Sequence, residues 1–362
     1  MTDEKELVSR NLSQELIDIV NSDLPFTDLH IAQDSVIMAK LPDGWKEIGL
    51  EPVVYEDMEP VLKSMDSDWE KQIVEKAMNR PLNLYNWRLR INAFLAFGGT
   101  RVVMSIRRIP ARPMPLKATG LPPSVRLMLE APRGLILVSG STGSGKSTTL
   151  SSMADSVNES RNAHIITIED PIEQLHEQKK SIFSQREIGV DVLSFHAGIK
   201  DAMRQRPDVI LIGEIRDRDT ADAALLAAES GHLVMASIHA NSASGAVQKM
   251  LAFFPSHERE SREQMMAMTT VGVINQVLLP KADKSGYALA AELLFNHKHQ
   301  FSKILCNPEK LASALSRKED SVSRSLEDSL IELVTQKIVN KADALREVTS
   351  GQTELYDKLK TL

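Results

Sequence analysis

The sequence predicts an α/β protein of two domains, the second built on a parallel sheet, and three observations lead there. Apolar, largely β-branched runs at 135–138 (LILV), 164–168 (HIITI), 208–213 (DVILIG) and 232–238 (HLVMASI) are unbroken rather than alternating. Strands read that way when both faces are covered. Helix-compatible stretches stand between them, the clearest being the alanine-rich TADAALLAAE at 220–229, a parallel crossover between two strands. Finally, 362 residues exceed one ordinary core.

Composition limits what such a chain does. With 42% hydrophobic and 25% charged residues it folds real cores, and its net charge of −6 argues against a broad nucleic-acid surface. Cys306 is the single cysteine, which excludes an internal disulfide and a multi-cysteine zinc site and favours a reducing compartment. The start, MTDEKELVSR, is acidic and polar, and no run approaches the roughly 18 apolar residues of a membrane span. The expected location is cytoplasmic, with membrane association only through partners.

In chain order, SQELIDIVN at 13–21 places Leu16, Ile17 and Val20 on one helical face behind a Ser13 cap. TDLHIA and SVIMAK read as short strands, followed by a Pro42-Asp43-Gly44 turn and a third strand at 45–48. Helices are expected at 57–65 and 68–78. The alternation in NLYNWRLRINAFLAF sets Trp87, Leu89, Ile91 and Ala93 against Arg88, Arg90 and Asn92, and Gly98-Gly99 turns the chain into a returning strand at 101–109. Arg88, Arg90, Arg101, Arg107 and Arg108 crowd this hairpin, either as a solvated strand face or as an anion-facing surface that meets a nucleotide on another subunit. His30 reads as structural. Residues 109–124 hold five prolines and have linker composition. The expected division is therefore 1–112, a linker at 113–124, a core at 125–290 and a helical region at 291–362.

The chemistry gathers in the second domain. GSTGSGKS, residues Gly140, Ser141, Thr142, Gly143, Ser144, Gly145, Lys146 and Ser147, fits GxxxxGK[ST] between the 135–138 run and a helix-compatible segment opening at Thr148. Glycines let successive N–H groups face an anion, and the helix N-terminus adds roughly half a positive charge. Lys146 then reaches the β- and γ-phosphates of ATP, and the Ser147 hydroxyl ligates Mg²⁺. The 164–168 strand ends in Glu169-Asp170, and the 208–213 strand in Glu214, followed by Arg216 and Asp217. Carboxylates at strand ends hold Mg²⁺ through water and orient the attacking water. Glu214 is assigned to Mg²⁺ and water and Glu169 to the general base, though the two roles are exchangeable. His239 ends the 232–238 strand, where it could report the γ-phosphate. Arg204 and Arg206, flanking the start of the Glu214 strand, could pair with acids or phosphates.

With these residues in place the chain resembles the secretion ATPase superfamily, and most closely its PilT-like retraction ATPases of type IV pili. FTDLHI and RLRINAF resemble N-terminal signatures, PRGLILVSGSTGSGKSTTL the Walker A block, ITIEDPIE the aspartate box, SQREIGVDVLSF with AMRQRPDVILIGEIRD the Walker B block, and GHLVMASIHANSA the histidine box. The resemblance implies a PAS-like N-terminal domain, a RecA-like P-loop ATPase domain with a helical tail, and a homohexamer. In it, arginines from a neighbouring subunit, among Arg90, Arg101 and Arg107, complete an ATP site. It also implies work on an inner-membrane platform protein, in pilus retraction or in a related secretion machine. Alternatives are the ATPase of a conjugative or effector-delivering type IV secretion system and an accessory nucleotide-gated ring subunit. Where retraction ATPases carry AIRNLIRE, this chain has NPEKLASALSRKED, without its arginines and most of its apolar spacing; the following SLEDSLIELVTQKIVNKADALREV puts Leu326, Leu330, Leu333 and Val334 on one face.

Overall fold

The computed structural model describes residues 11–317, 320, 322–348 and 353–361. The acidic N-terminal stretch and parts of the tail at 318–319, 321, 349–352 and 362 lie outside these. The chain divides into two units, 1–112 with 284–286, and 113–283 with 287–362.

The first unit comprises α1 (Leu12–Asn21), β1 (Asp28–Ala32), β2 (Met38–Leu41), β3 (Gly44–Glu47), α2 (Tyr55–Met65), α3 (Trp69–Glu75), β4 (Met78–Leu84), β5 (Trp87–Ala96) and β6 (Arg101–Pro110). Its antiparallel sheet runs β3-β2-β1-β6-β5-β4. Leu12, Leu16 and Val20 of α1 pack into one core with Leu29, Ile31, Leu89, Ile91 and Met104. Asn11, not Ser13, caps α1, its side chain accepting from the Gln14 amide at 3.1 Å. The helix expected to reach residue 78 stops at Glu75, because Met78–Leu84 pairs with β5 as an edge strand. Asn79, Pro81 and Asn83 hid it: all are poor strand formers, and proline is tolerated only at such an edge. His30 packs edge-on against Trp45.

The arginines of the hairpin do not share one fate. Arg88 is buried and reaches Asn83 Oδ1 at 3.3 Å, so it is not on a solvated face. The Arg108 guanidinium donates to the carbonyls of Val20 (2.9 Å), Leu24 (2.6 Å) and Phe26 (3.0 Å) and lies over the rings of Phe26 and Trp87. Burial lowers its pKa to about 10. This is a fastener between β6 and the last turn of α1 with the segment after it. Arg108→Ala leaves three carbonyls to find other donors and is expected to destabilise the unit by about 2–4 kcal/mol. Urea unfolding followed by tryptophan fluorescence reads this; a change under 0.5 kcal/mol would refute it.

The second unit comprises α4 (Val125–Leu129), β7 (Gly134–Gly140), α5 (Lys146–Ser160), β8 (His164–Glu169), β9 (Ile182–Glu187), α6 (Phe195–Met203), β10 (Val209–Ile212), α7 (Arg218–Glu229), β11 (Leu233–Ile238), α8 (Ala243–Ala252), α9 (Ser256–Thr269), β12 (Thr270–Pro280), β13 (Tyr287–Phe295), α10 (Pro308–Ser316), α11 (Leu326–Thr335), α12 (Lys341–Arg346) and α13 (Thr353–Thr361). The sheet order is β13-β12-β7-β11-β10-β8-β9, parallel except for the β12–β13 pair. Alternate residues enter two cores. Leu135, Leu137, Ile166, Ile168, Ile210, Ile212 and Val234 face one; Ile136, Val138, Ile165, Val209, Leu211 and Met235 face the other. Both faces are covered, by α6–α8 on one side and α4–α5 on the other, which is why the runs are continuous.

Three expectations change here. The linker is no free tether, since Leu116 and Leu121 are buried in the second core beside Met153 and Leu289. The boundary at 290/291 falls inside β13, whose pairing with β12 makes it part of the sheet. The NPEKLASALS segment does have helical apolar spacing: α10 buries Leu311, Ala314 and Leu315 in the first core. Leu330 of α11 is fully buried, with Leu326, Leu333 and Val334 packed around it.

Candidate functional site

The phosphate-loop sequence leaves the C-terminal end of β7 and enters α5. Gly140 has φ +149, and a Cβ there would lie 2.3 Å from Ser144 Oγ and 2.6 Å from the Gln276 carbonyl. Only glycine fits. Gly143 and Gly145, at φ +80 and +88, supply the left-handed turns that start the helix. Ser141, Thr142, Gly143 and Ser147 are exposed and Thr148 half-buried, whereas Ser144 is buried with a hydroxyl that lacks a partner among the described residues. Lys146 is 9% exposed, and its ammonium curls back to donate to the carbonyls of Gly140 (3.0 Å) and Ser141 (2.8 Å). Burial lowers its pKa, and the nearby charge of Glu214 opposes that. First-turn amides of a helix have no partner within it, so the concavity offers N–H groups and one cation to an anion.

Neighbouring strands bring the other residues alongside. Registry aligns Ser139 with Ile238, Ala236 with Ile212, and Ile212 with Ile168, so the ends of β7, β11, β10 and β8 form one row, about 4.8 Å per step. Glu214 follows β10 and is held from both sides: the Gly213 amide donates to the Ile168 carbonyl at 2.8 Å and the Ile215 amide to the Ser237 carbonyl at 2.9 Å. The Glu214 carboxylate is 15% exposed, with Oε1 3.0 Å from His239 Nε2 and Oε2 2.6 Å from Arg216 Nε. Glu169, ending β8, accepts through Oε1 from Thr167 Oγ1 (2.7 Å) and Gln185 Nε2 (3.2 Å), and burial raises its pKa. A raised pKa makes its carboxylate a stronger proton acceptor than an exposed one.

A polar layer beneath the loop was not visible in the sequence. Gln276 Nε2 donates to Thr149 Oγ1 at 2.7 Å, Ser139 Oγ to Asn275 Oδ1 at 3.1 Å, and Asn275 Nδ2 to the Asn241 carbonyl at 3.2 Å. Glu292, its pKa raised by burial, accepts the Ala243 amide at 2.6 Å. These contacts join β7 to the segment after His239.

Arg204 and Arg206 precede β10 and so stand at the N-terminal edge of the sheet, away from the phosphate loop. Arg90, Arg101 and Arg107 belong to the first unit. Arg107 Nε pairs with Asp28 Oδ1 at 2.8 Å and faces Arg90 across the β5–β6 register, while Arg101 Nε is 3.8 Å from Asp34 and its guanidinium 5.1 Å from the Phe97 ring centre.

A seven-stranded parallel-rich sheet with a glycine loop, a lysine and a carboxylate at neighbouring strand ends defines a P-loop nucleotide-binding protein. The profile described as "Type II/IV secretion system protein" matches residues 69–310, and the chain belongs to that family. It is 34% identical over 320 residues to a twitching motility protein of Neisseria gonorrhoeae, covering 87% of this chain and 85% of that protein. It is 35% identical over 258 residues to the type IV pilus retraction ATPase PilT of Pseudomonas aeruginosa, covering 70% and 74%. A crystal structure of the pilus retraction motor PilT with bound ADP superposes with a TM-score of 0.80 at 31% identity, covering 94% of this chain and 98% of that one.

Proposed function

We propose that this protein is an Mg²⁺-dependent ATPase, working as a homohexameric motor that powers retraction of a type IV pilus. The observation that supports it most is the row of strand ends, with Glu214 in contact with His239 and near enough to Lys146 on the phosphate loop for the two charges to interact. Similarity to a twitching motility protein and a retraction ATPase across most of the chain gives the direction of the work.

In this reading the loop amides and Lys146 bind the β- and γ-phosphates. The exposed Ser147 hydroxyl and the Glu214 carboxylate are hard oxygen donors of the kind Mg²⁺ takes, so these two residues would hold it, Glu214 through water. Bound there, the ion would neutralise charge developing on the transferred phosphate. Glu169 accepts the proton of the attacking water; its burial suits that role. His239 links the Glu214 carboxylate to the loop that enters α8, and so couples nucleotide state to backbone position. Arg90, Arg101 and Arg107 are the candidates to reach a neighbouring subunit's phosphates, a contact that supplies about 10³–10⁵ in rate in other nucleotidases. Among the described residues no helix is long and apolar enough to cross a membrane. The ring would act at the cytoplasmic face of the inner membrane, on a platform protein embedded in it.

Deleting the gene and counting surface fibres by electron microscopy tests the direction of the motor. Retraction predicts excess fibres. Bare cells would overturn it in favour of assembly, and unchanged fibres with lost cargo or DNA transfer in favour of a secretion system.

A further inference from the structure

Glu214 is not held by His239 alone. Arg216, two residues on, presents Nε to Glu214 Oε2 at 2.6 Å while its Nη1 lies 3.7 Å from Asp170 Oδ2. Registry makes β11, β10 and β8 successive neighbours, so His239, Glu214, Arg216 and Asp170 form one line of contacts across three strand ends. We propose that Arg216 is a positioning residue for Glu214, fixing the carboxylate in the one rotamer from which it organises the attacking water. The proposal rests on the reading of Glu214 as a hydrolytic residue and adds how that residue is aimed.

A glutamate beyond the end of a strand has three side-chain torsions and samples many orientations. Here one carboxylate oxygen accepts from Arg216 Nε and the other lies 3.0 Å from His239 Nε2, so both oxygens are engaged and the orientations narrow. The ordinary account is an exposed ion pair, and Arg216 is 59% exposed. Glu214, however, is only 15% exposed, so the partner whose freedom is removed is the enclosed one. Arginine suits the task because Nε and Nη1 lie in one rigid plane and reach two carboxylates on different strands; a lysine offers a single flexible point of charge.

The test compares wild type, Arg216→Ala, Arg216→Lys and Glu214→Gln by steady-state phosphate release, by binding of a fluorescent N-methylanthraniloyl-ATP in Mg²⁺ and in EDTA, and by thermal melting. Misplacing a reacting group lowers the chemical step, so Arg216→Ala is expected to reduce kcat about 10–100-fold. Its Kd for the fluorescent nucleotide is expected to stay within about threefold of wild type in both buffers, with unchanged melting, because the interaction matters in the reaction and not in ground-state binding. Arg216→Lys is expected to recover only part of kcat. A kcat for Arg216→Ala within about twofold of wild type, or a Kd that weakens in parallel with kcat, would overturn the proposal. If Arg216→Ala fails to fold, Arg216→Lys decides, and full activity there overturns it. An inactive Glu214→Gln beside a fully active Arg216→Ala would remove this inference alone; a fully active Glu214→Gln would remove the reading of Glu214 beneath it.

Discussion

Replacing Lys146 by alanine is expected to weaken ATP binding by about 100-fold or more, roughly 2.7 kcal/mol. The residue is 9% exposed and its ammonium already sits between the loop carbonyls of Gly140 and Ser141, so moving it onto a phosphate requires a short reorientation of one side chain. Burial lowers its pKa, and a phosphate anion beside it would favour the charged form. No other lysine or arginine side chain lies within the 140–147 segment to substitute for it. Isothermal titration with ATP and Mg²⁺ checks the expectation. An affinity within threefold of wild type would mean that the loop amides alone hold the nucleotide.

Glu214→Gln is expected to reduce kcat about 10²–10⁴-fold while leaving nucleotide affinity within a small factor, since the substitution keeps the shape and removes the charge and basicity that act on water. The surroundings make glutamine easy to accommodate: one oxygen still meets His239 or Arg216, and the flanking backbone is pinned to β8 and β11. Fold loss is therefore not expected to confuse the result, and circular dichroism reads that separately. The same substitution at Glu169 separates the two carboxylates, because the one serving as general base gives the larger loss near neutral pH.

The local part of this architecture was legible from the residues alone. Gly140 to Ser147 is a contiguous pattern whose meaning depends only on a strand before it and a helix after it, and the strand-end positions of Glu169, Glu214 and His239 follow from where the apolar runs stop. What escaped depends on partners far along the chain. Thr149 and Gln276 meet across 127 residues, and Arg88 is buried only because its strand packs as it does. Edge strands β4 and β9 carry polar residues in place of an apolar run, and so gave no signal to recognise. The 290/291 boundary went wrong because β13 returns antiparallel to β12 after the last parallel strand, a pairing that no periodicity announces. The contact between Arg216 and Glu214 joins residues two apart, but its sense appears only when β8 brings Asp170 alongside.

The central claim is that the phosphate loop and the carboxylates at the adjoining strand ends together cleave ATP. Phosphate release by purified wild-type protein, with Mg²⁺ and with EDTA, tests it most directly. Steady release in Mg²⁺ that disappears in EDTA and in Glu214→Gln is predicted, whereas tight ATP binding with no release under any condition would contradict it.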